Sequence, residues 1–158
     1  VSSDHQLARL LQIGIVLEEV VEARSYHHYQ SLDDAPALDP EIESLLEHAA
    51  AESAAHRERL EELVDELDAE SIPFEEIEAL VQAQYGGTDP DDFDDILYDQ
   101  LANEETAYKF YDDLVGALRA SEATFGIDRD HLIDVLVEIR EEEADGVEEV
   151  TKVMNDRS

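Results

Sequence analysis

A chain of 158 residues is long enough to bury one substantial core, and its hydrophobic content of 43% is ordinary for a globular protein. Its charge is not ordinary: 43 acidic residues against 10 basic ones leave a formal net charge of -33, which repels phosphate backbones and argues against nucleic acid as a partner. With no Cys, disulfides, thiolate zinc sites, iron-sulfur clusters and cysteine nucleophiles are excluded, so any metal must be held by carboxylate and imidazole.

Ser2, Ser3 or Asp4 can cap a first helix over about 4–32, which Pro36 and Pro40 bring to an end. Asp39, Pro40 and Glu41 then supply an N-cap, a proline at the first helical position and an early acid for a second helix over about 40–69. Ile72 and Pro73 introduce a shorter amphipathic helix, 73–85, stopped by Gly86 and Gly87. The Asp-Pro-acid signature recurs at Asp89, Pro90 and Asp91 and opens a third long helix over 90–121, and Gly126, Ile127 and Asp128 lead into a fourth over 129–154. No segment sustains an alternation of period two with β-branched residues, so the expected class is all-α. The expected architecture is a single domain over 1–158, with four long helices and a long connection carrying the short helix between the second and third of them. The connection length leaves open whether the third long helix starts where the second ended or at the far end of the bundle.

Acidic tracts such as Asp89–Asp95 lie among regularly spaced apolar residues, so the acidity is expected to coat folded helices. Such a surface predicts adaptation to the salt-saturated cytoplasm of a halophile, where screening shortens the Debye length to about 3 Å and suppresses self-repulsion; the alternative is an acidic mesophilic protein. No apolar run approaches the roughly 18 residues of a membrane span, and Val1-Ser2-Ser3-Asp4-His5 has no signal-like pattern, so no membrane association is expected and a cytoplasmic location is.

Within this frame one motif occurs twice. Glu22, Ser25, Tyr26, Tyr29 and Leu32 align without a gap with Glu104, Ala107, Tyr108, Tyr111 and Leu114. At about 100° per residue each Glu shares a helical face with the tyrosines that follow it. An acid on a buried face is costly unless it is paired, protonated or bound to a metal. Each long helix carries such an acid near the middle of its apolar seam: Glu18 and Glu22 in the first, Glu52 with His56 in the second, Glu104 in the third beside Gln100, and Glu143 in the fourth. Either a metal lies between the helices, or Glu22 and Glu104 are buried carboxyls satisfied by tyrosine hydroxyls or by Arg24 and Arg57. Among the other histidines, His28 borders the seam and suits packing, His48 lies one turn before Glu52, and His5, His27 and His131 suit solvent.

This constellation resembles the ferritin-like di-metal carboxylate proteins, in particular their rubrerythrin-like branch without its rubredoxin domain, and the resemblance covers nearly the whole chain. It implies that Glu22 and Glu104 are single carboxylate ligands and that the second and fourth long helices each supply a Glu-x-x-His pair. Here Glu52 stands four residues before His56, with Ser53 at the third, while Glu143 takes the Glu place of the last helix and Gly146 the place of its His. Leu101 stands where the third helix of the branch bears a further Glu. Glu18, one turn before Glu22, offers a compensating carboxylate, and water a substitute at Gly146. Tyr29 and Tyr111 are the candidate catalytic side chains, in the supporting role of hydrogen bonding to the carboxylates. The resemblance implies iron, alternatively manganese, as cofactor, and hydrogen peroxide or dioxygen as the small-molecule partner. It also implies a homodimer through helix faces. With an incomplete ligand set, a slow ferroxidase is expected in preference to a fast peroxidase; the alternative is a degenerate bundle with at most one metal, serving binding or assembly.

Overall fold

The structure, a computed structural model, describes residues 3–33, 40–67 and 93–157, without the side chains of 23–33, 93–96, 98, 99 and 157. The predicted short helix at 73–85 lies outside the described residues, as does the side chain of Tyr29. Among the described residues every regular element is helical: α1 (Asp4–Asp33), α2 (Pro40–Leu67), α3 (Phe93–Ala120) and α4 (Arg129–Arg157). The local chemistry sets the ends. Ser3 caps α1, its Oγ accepting from the Gln6 N–H at 3.1 Å, and Asp128 caps α4 by accepting from the Asp130 N–H at 3.1 Å. Pro40 is the first residue of α2, where a missing N–H costs nothing. α4 runs past the expected end at Met154 because Asn155 and Asp156 offer neither Gly nor Pro to stop it.

Asp4 has a different task from capping. Its carboxylate accepts from the Gly126 N–H, at 2.9 Å to Oδ1 and 3.1 Å to Oδ2, which joins the start of α1 to the α3–α4 turn. The Leu67 carbonyl at the end of α2 lies 3.8 Å from where a Cβ on Gly126 would stand. The start of α1, the end of α2, the end of α3 and the start of α4 therefore share one end of the molecule. α1 and α4 run one way, α2 and α3 the other. α1 packs against α2 and α3, and α4 against α3 and α2, closing a four-helix bundle in which every adjacent pair is antiparallel. The question left open by the connection length is thereby answered: α2 ends and α3 begins at opposite ends, so residues 68–92 link points separated by the length of a helix, about 40 Å at 1.5 Å per residue for the 28 residues of α3.

The apolar residues form two main cores stacked along the bundle. One, at the Asp4–Gly126 end, includes Leu7, Leu11, Ile15, Leu60, Leu63, Leu118, Leu132 and Leu136, and the other contains Ile42, Leu45, Leu46, Leu97, Val150 and Val153. Gly14 lets the helices close in, since a Cβ there would meet Phe110 Cε1 of α3 at 3.1 Å and Leu60 Cδ1 of α2 at 3.2 Å. Between the two cores, all four helices turn polar side chains inward.

Candidate metal centre

The polar layer consists of Glu18 from α1, Ser53 and His56 from α2, Gln100 and Glu104 from α3, and Glu143 from α4, all buried. His56, 1% exposed, is its hub. Its Nδ1 lies 3.0 Å from Glu143 Oε1 and 3.3 Å from Glu18 Oε1. The opposite ring nitrogen, Nε2, lies 2.5 Å from Glu142 Oε2 and 3.8 Å from Glu52 Oε1. Tyr111, wholly buried, donates its hydroxyl hydrogen to Glu18 Oε1 at 2.6 Å, and Gln100 Nε2 donates to Glu104 Oε1 at 3.2 Å.

Gathering five carboxyls around one imidazole, three of them buried, shifts their protons. Burial pulls the His56 ring toward its neutral form, but the hydrogen bond and charge of Glu18, the hydrogen bond to Glu142 and the charge of Glu52 outweigh it and push the ring up to about 9. Glu143 is held well above the ordinary carboxylate range, first by burial, then by the charge of Glu18 and its hydrogen bond with Glu104. Burial also raises Glu104, while its hydrogen bond with Glu143 opposes the rise. The two therefore share a proton that resides on Glu143. Burial is the main cause lifting Glu52 to about 7, with the charges of Glu104 and Glu142 adding to it and those of His56 and His48 opposing. Tyr111 is raised well above the ordinary phenol value by burial and by Glu18, so it keeps its hydrogen as a donor.

The layer fits a divalent cation. Glu18 is 0% exposed, yet its Oε2 has no hydrogen-bond partner, although an unsatisfied buried carboxylate oxygen is expensive. Glu18, His56 and Glu143 offer ligand atoms that all lie within 4.8 Å of one another. The 3.0 Å between Nδ1 and Glu143 Oε1 matches the edge of about 3 Å between neighbouring ligands around an ion with bonds of about 2.1 Å. A second group, Glu52, Glu142 and the Nε2 side of His56, meets the same criterion nearer the surface. Two carboxylates and one imidazole suit iron, manganese and other borderline divalent ions.

Not all the residues singled out in the sequence come together. Glu52, His56, Glu104, Glu143 and Glu18 do. Glu22 does not join them: its Oε2 accepts from Arg57 Nη1 at 2.7 Å, and its side chain is 19% exposed. Four residues of an α-helix turn through about 400°, so Glu22 lies about 40° around from Glu18, enough to aim one acid inward and the other at α2. The alternative of a carboxyl satisfied by Arg57 thus describes Glu22, while Tyr111 engages only one oxygen of Glu18. Gly146 corrects another expectation. The place assigned to a missing His is filled by Glu104, whose Oε2 would lie 2.7 Å from a Cβ on residue 146. Tyr111 supports a carboxylate as expected, though one on α1 and not on its own helix.

Sequence reasoning missed Glu142. It lies 100° around α4 from Glu143, on the side that faces α2, and its Oε2 is also 3.7 Å from Arg59 Nη1. One acid among 43 carries no pattern of its own; only its position flanking the α2–α4 contact could have marked it. Among the described residues no helix is long and apolar enough to cross a membrane. Comparison with known proteins returns no similar protein family, curated protein or solved structure.

Proposed function

We propose that the chain is a ferritin-like, rubrerythrin-like bundle that holds iron or manganese at Glu18, His56 and Glu143 and reacts with hydrogen peroxide or dioxygen, in oxidative-stress defence or iron handling. The observation that carries this reading is the buried, unpartnered Oε2 of Glu18 beside the imidazole and Glu143, at the centre of the bundle. The up-down-down-up order of the helices, with one lengthwise connection, agrees with the ferritin-like arrangement. Bound iron would supply the one-electron redox chemistry. The chain supplies the rest: Tyr111 fixes Glu18 through Oε1 and leaves Oε2 without a partner, Glu104 hydrogen-bonds Glu143, and the stacked cores keep bulk water out. The -33 charge supports a halophilic setting, in which the surface is screened.

Specific observations also favour the second reading, a bundle with at most one metal and no catalysis. Arg57 engages Glu22, and Glu104 fills the space beside Gly146, so groups that a second ion would need are already engaged within the protein. The test is oxidation of anaerobically loaded Fe(II) on addition of peroxide or air, followed by absorbance in high salt. Fe(III) formation faster than in protein-free buffer, and lost in Glu18→Gln, supports the oxidoreductase. Retention of bound iron without acceleration supports the second reading.

A further inference from the structure

Both ring nitrogens of His56 face carboxylates, but the two sides differ in access. The Nδ1 side is sealed: Glu18, Glu143 and Tyr111 are all buried. On the Nε2 side the two carboxylates facing the ring, Glu52 and Glu142, also line a depression of about 440 Å³ between α2 and α4, together with His48, Ala51, Ala55 and Asp145. Its charged lining is acidic except for His48, whose Nε2 lies 3.1 Å from Glu52 Oε2 and 3.9 Å from Glu149 Oε2. At the floor, Glu52 Oε1 is a buried oxygen without a hydrogen-bond partner, as is Glu18 Oε2 on the sealed side of the ring. Two unpaired carboxylate oxygens thus mark two stations for a cation, one on each side of a single imidazole.

We infer that the α2–α4 depression is the route by which a divalent cation reaches the centre, with Glu52, Glu142 and Nε2 of His56 forming an outer station that hands the ion to Glu18, Glu143 and Nδ1. The inference rests on the metal-holding role proposed above. A neutral imidazole has one lone pair, on whichever nitrogen lacks hydrogen, so His56 serves one station at a time. With the ion outside, Nδ1–H donates to Glu143 and Glu18. With the ion inside, Nε2–H donates to Glu142, which already stands 2.5 Å away. Each state leaves every ring nitrogen with a partner, which a histidine serving a single station would not require.

The test uses Co(II) as a chromophoric probe, mixed with the metal-free chain in high salt while its visible absorption is recorded. Ala55→Arg places a bulky cation in the mouth and removes no ligand, and Ala55 is an exposed helical position, so folding is undisturbed. It should slow Co(II) uptake and release together by about tenfold or more, leaving the amount bound unchanged, because focused acidic fields raise cation on-rates by that order. Asp145→Asn, which removes a charge from the lining of the depression and no ligand, should slow uptake while preserving the inner site, and Glu66→Gln, which removes the same charge at the far end of α2, should not. Uptake by wild type at a rate that both mouth variants share would overturn the route and leave the centre standing. Absence of any Co(II) binding in folded wild type would overturn both.

Discussion

Raising the pH of the metal-free protein should loosen it, and the loosening should originate in the polar layer. Glu52 is lifted from an ordinary 4.5 to about 7, so between these values the folded chain holds a proton that the unfolded chain has released, and stability falls as pH rises through the window. His56 is raised from 6.5 to about 9; its contribution is fully present below 6.5 and is lost as pH rises through 9. The two shifts carry the same sign. The His56 shift corresponds to about 3 kcal/mol at 1.36 kcal/mol per pH unit; the Glu52 shift contributes less than that, because its carboxyl is partly solvated, and because its charge is one cause of the His56 shift the combined loss is less than the sum. At about 2–4 °C per kcal/mol for a domain of this size, the melting temperature should drop by roughly 10–15 °C. Circular dichroism melts of chelator-treated protein in multimolar KCl, from about pH 5 to 9, read this directly, with the salt screening the surface and leaving the buried layer. A Glu52→Gln, His56→Gln variant should lose most of the slope. Melting temperatures that stay level or rise with pH in the wild type, or an equal slope in the variant, would refute the reasoning.

Three further outcomes follow from the same geometry. Tyr111→Phe removes the hydroxyl that donates to Glu18 Oε1 and should destabilise the metal-free fold by about 1–3 kcal/mol in urea titrations; an unchanged midpoint would mean that Glu18 does not depend on it. Gly146→Ala puts a Cβ 2.7 Å from Glu104 Oε2, so the carboxylate must move and its hydrogen bond with Glu143 should break. That change should appear as a shift of the protonated carboxyl stretch in the infrared, with the lost contact set against a helix-propensity gain of about 1 kcal/mol; an unmoved band would show that Glu104 does not need the space. Transfer from multimolar salt to dilute buffer should lower the melting temperature of a chain carrying -33, and insensitivity to salt would contradict the halophilic reading.

Much of the fold was legible because its signals are local. Ser3, Pro40 and Asp128 mark helix starts by chemistry confined to one turn, and helical periodicity placed acids on the inward side of each long helix. The direction of α3 was not legible, since it depends on contacts such as Asp4 with Gly126, whose partners are remote in sequence. The same limit governs the site. Glu18 and Glu22 differ by only about 40° on α1, and the choice between them is made by Arg57 on one side and Tyr111 on the other. The internal repeat pointed to Glu22 because it matches Glu104, but two aligned acids need not meet the same neighbours. Gly146 read as a lost ligand because a sequence shows the residue that is missing and not the carboxylate from another helix that fills its place.

The central claim is that Glu18, His56 and Glu143 hold a divalent metal, and elemental analysis tests it most directly. Protein loaded anaerobically with Fe(II) or Mn(II) in high salt and then desalted should retain about one ion per chain through its carboxylate and imidazole donors. Glu22→Ala should retain the same amount, while a Glu18→Ala, Glu143→Ala double variant should retain none. No metal in folded wild type, or loss on changing Glu22 with retention in the double variant, would contradict the account.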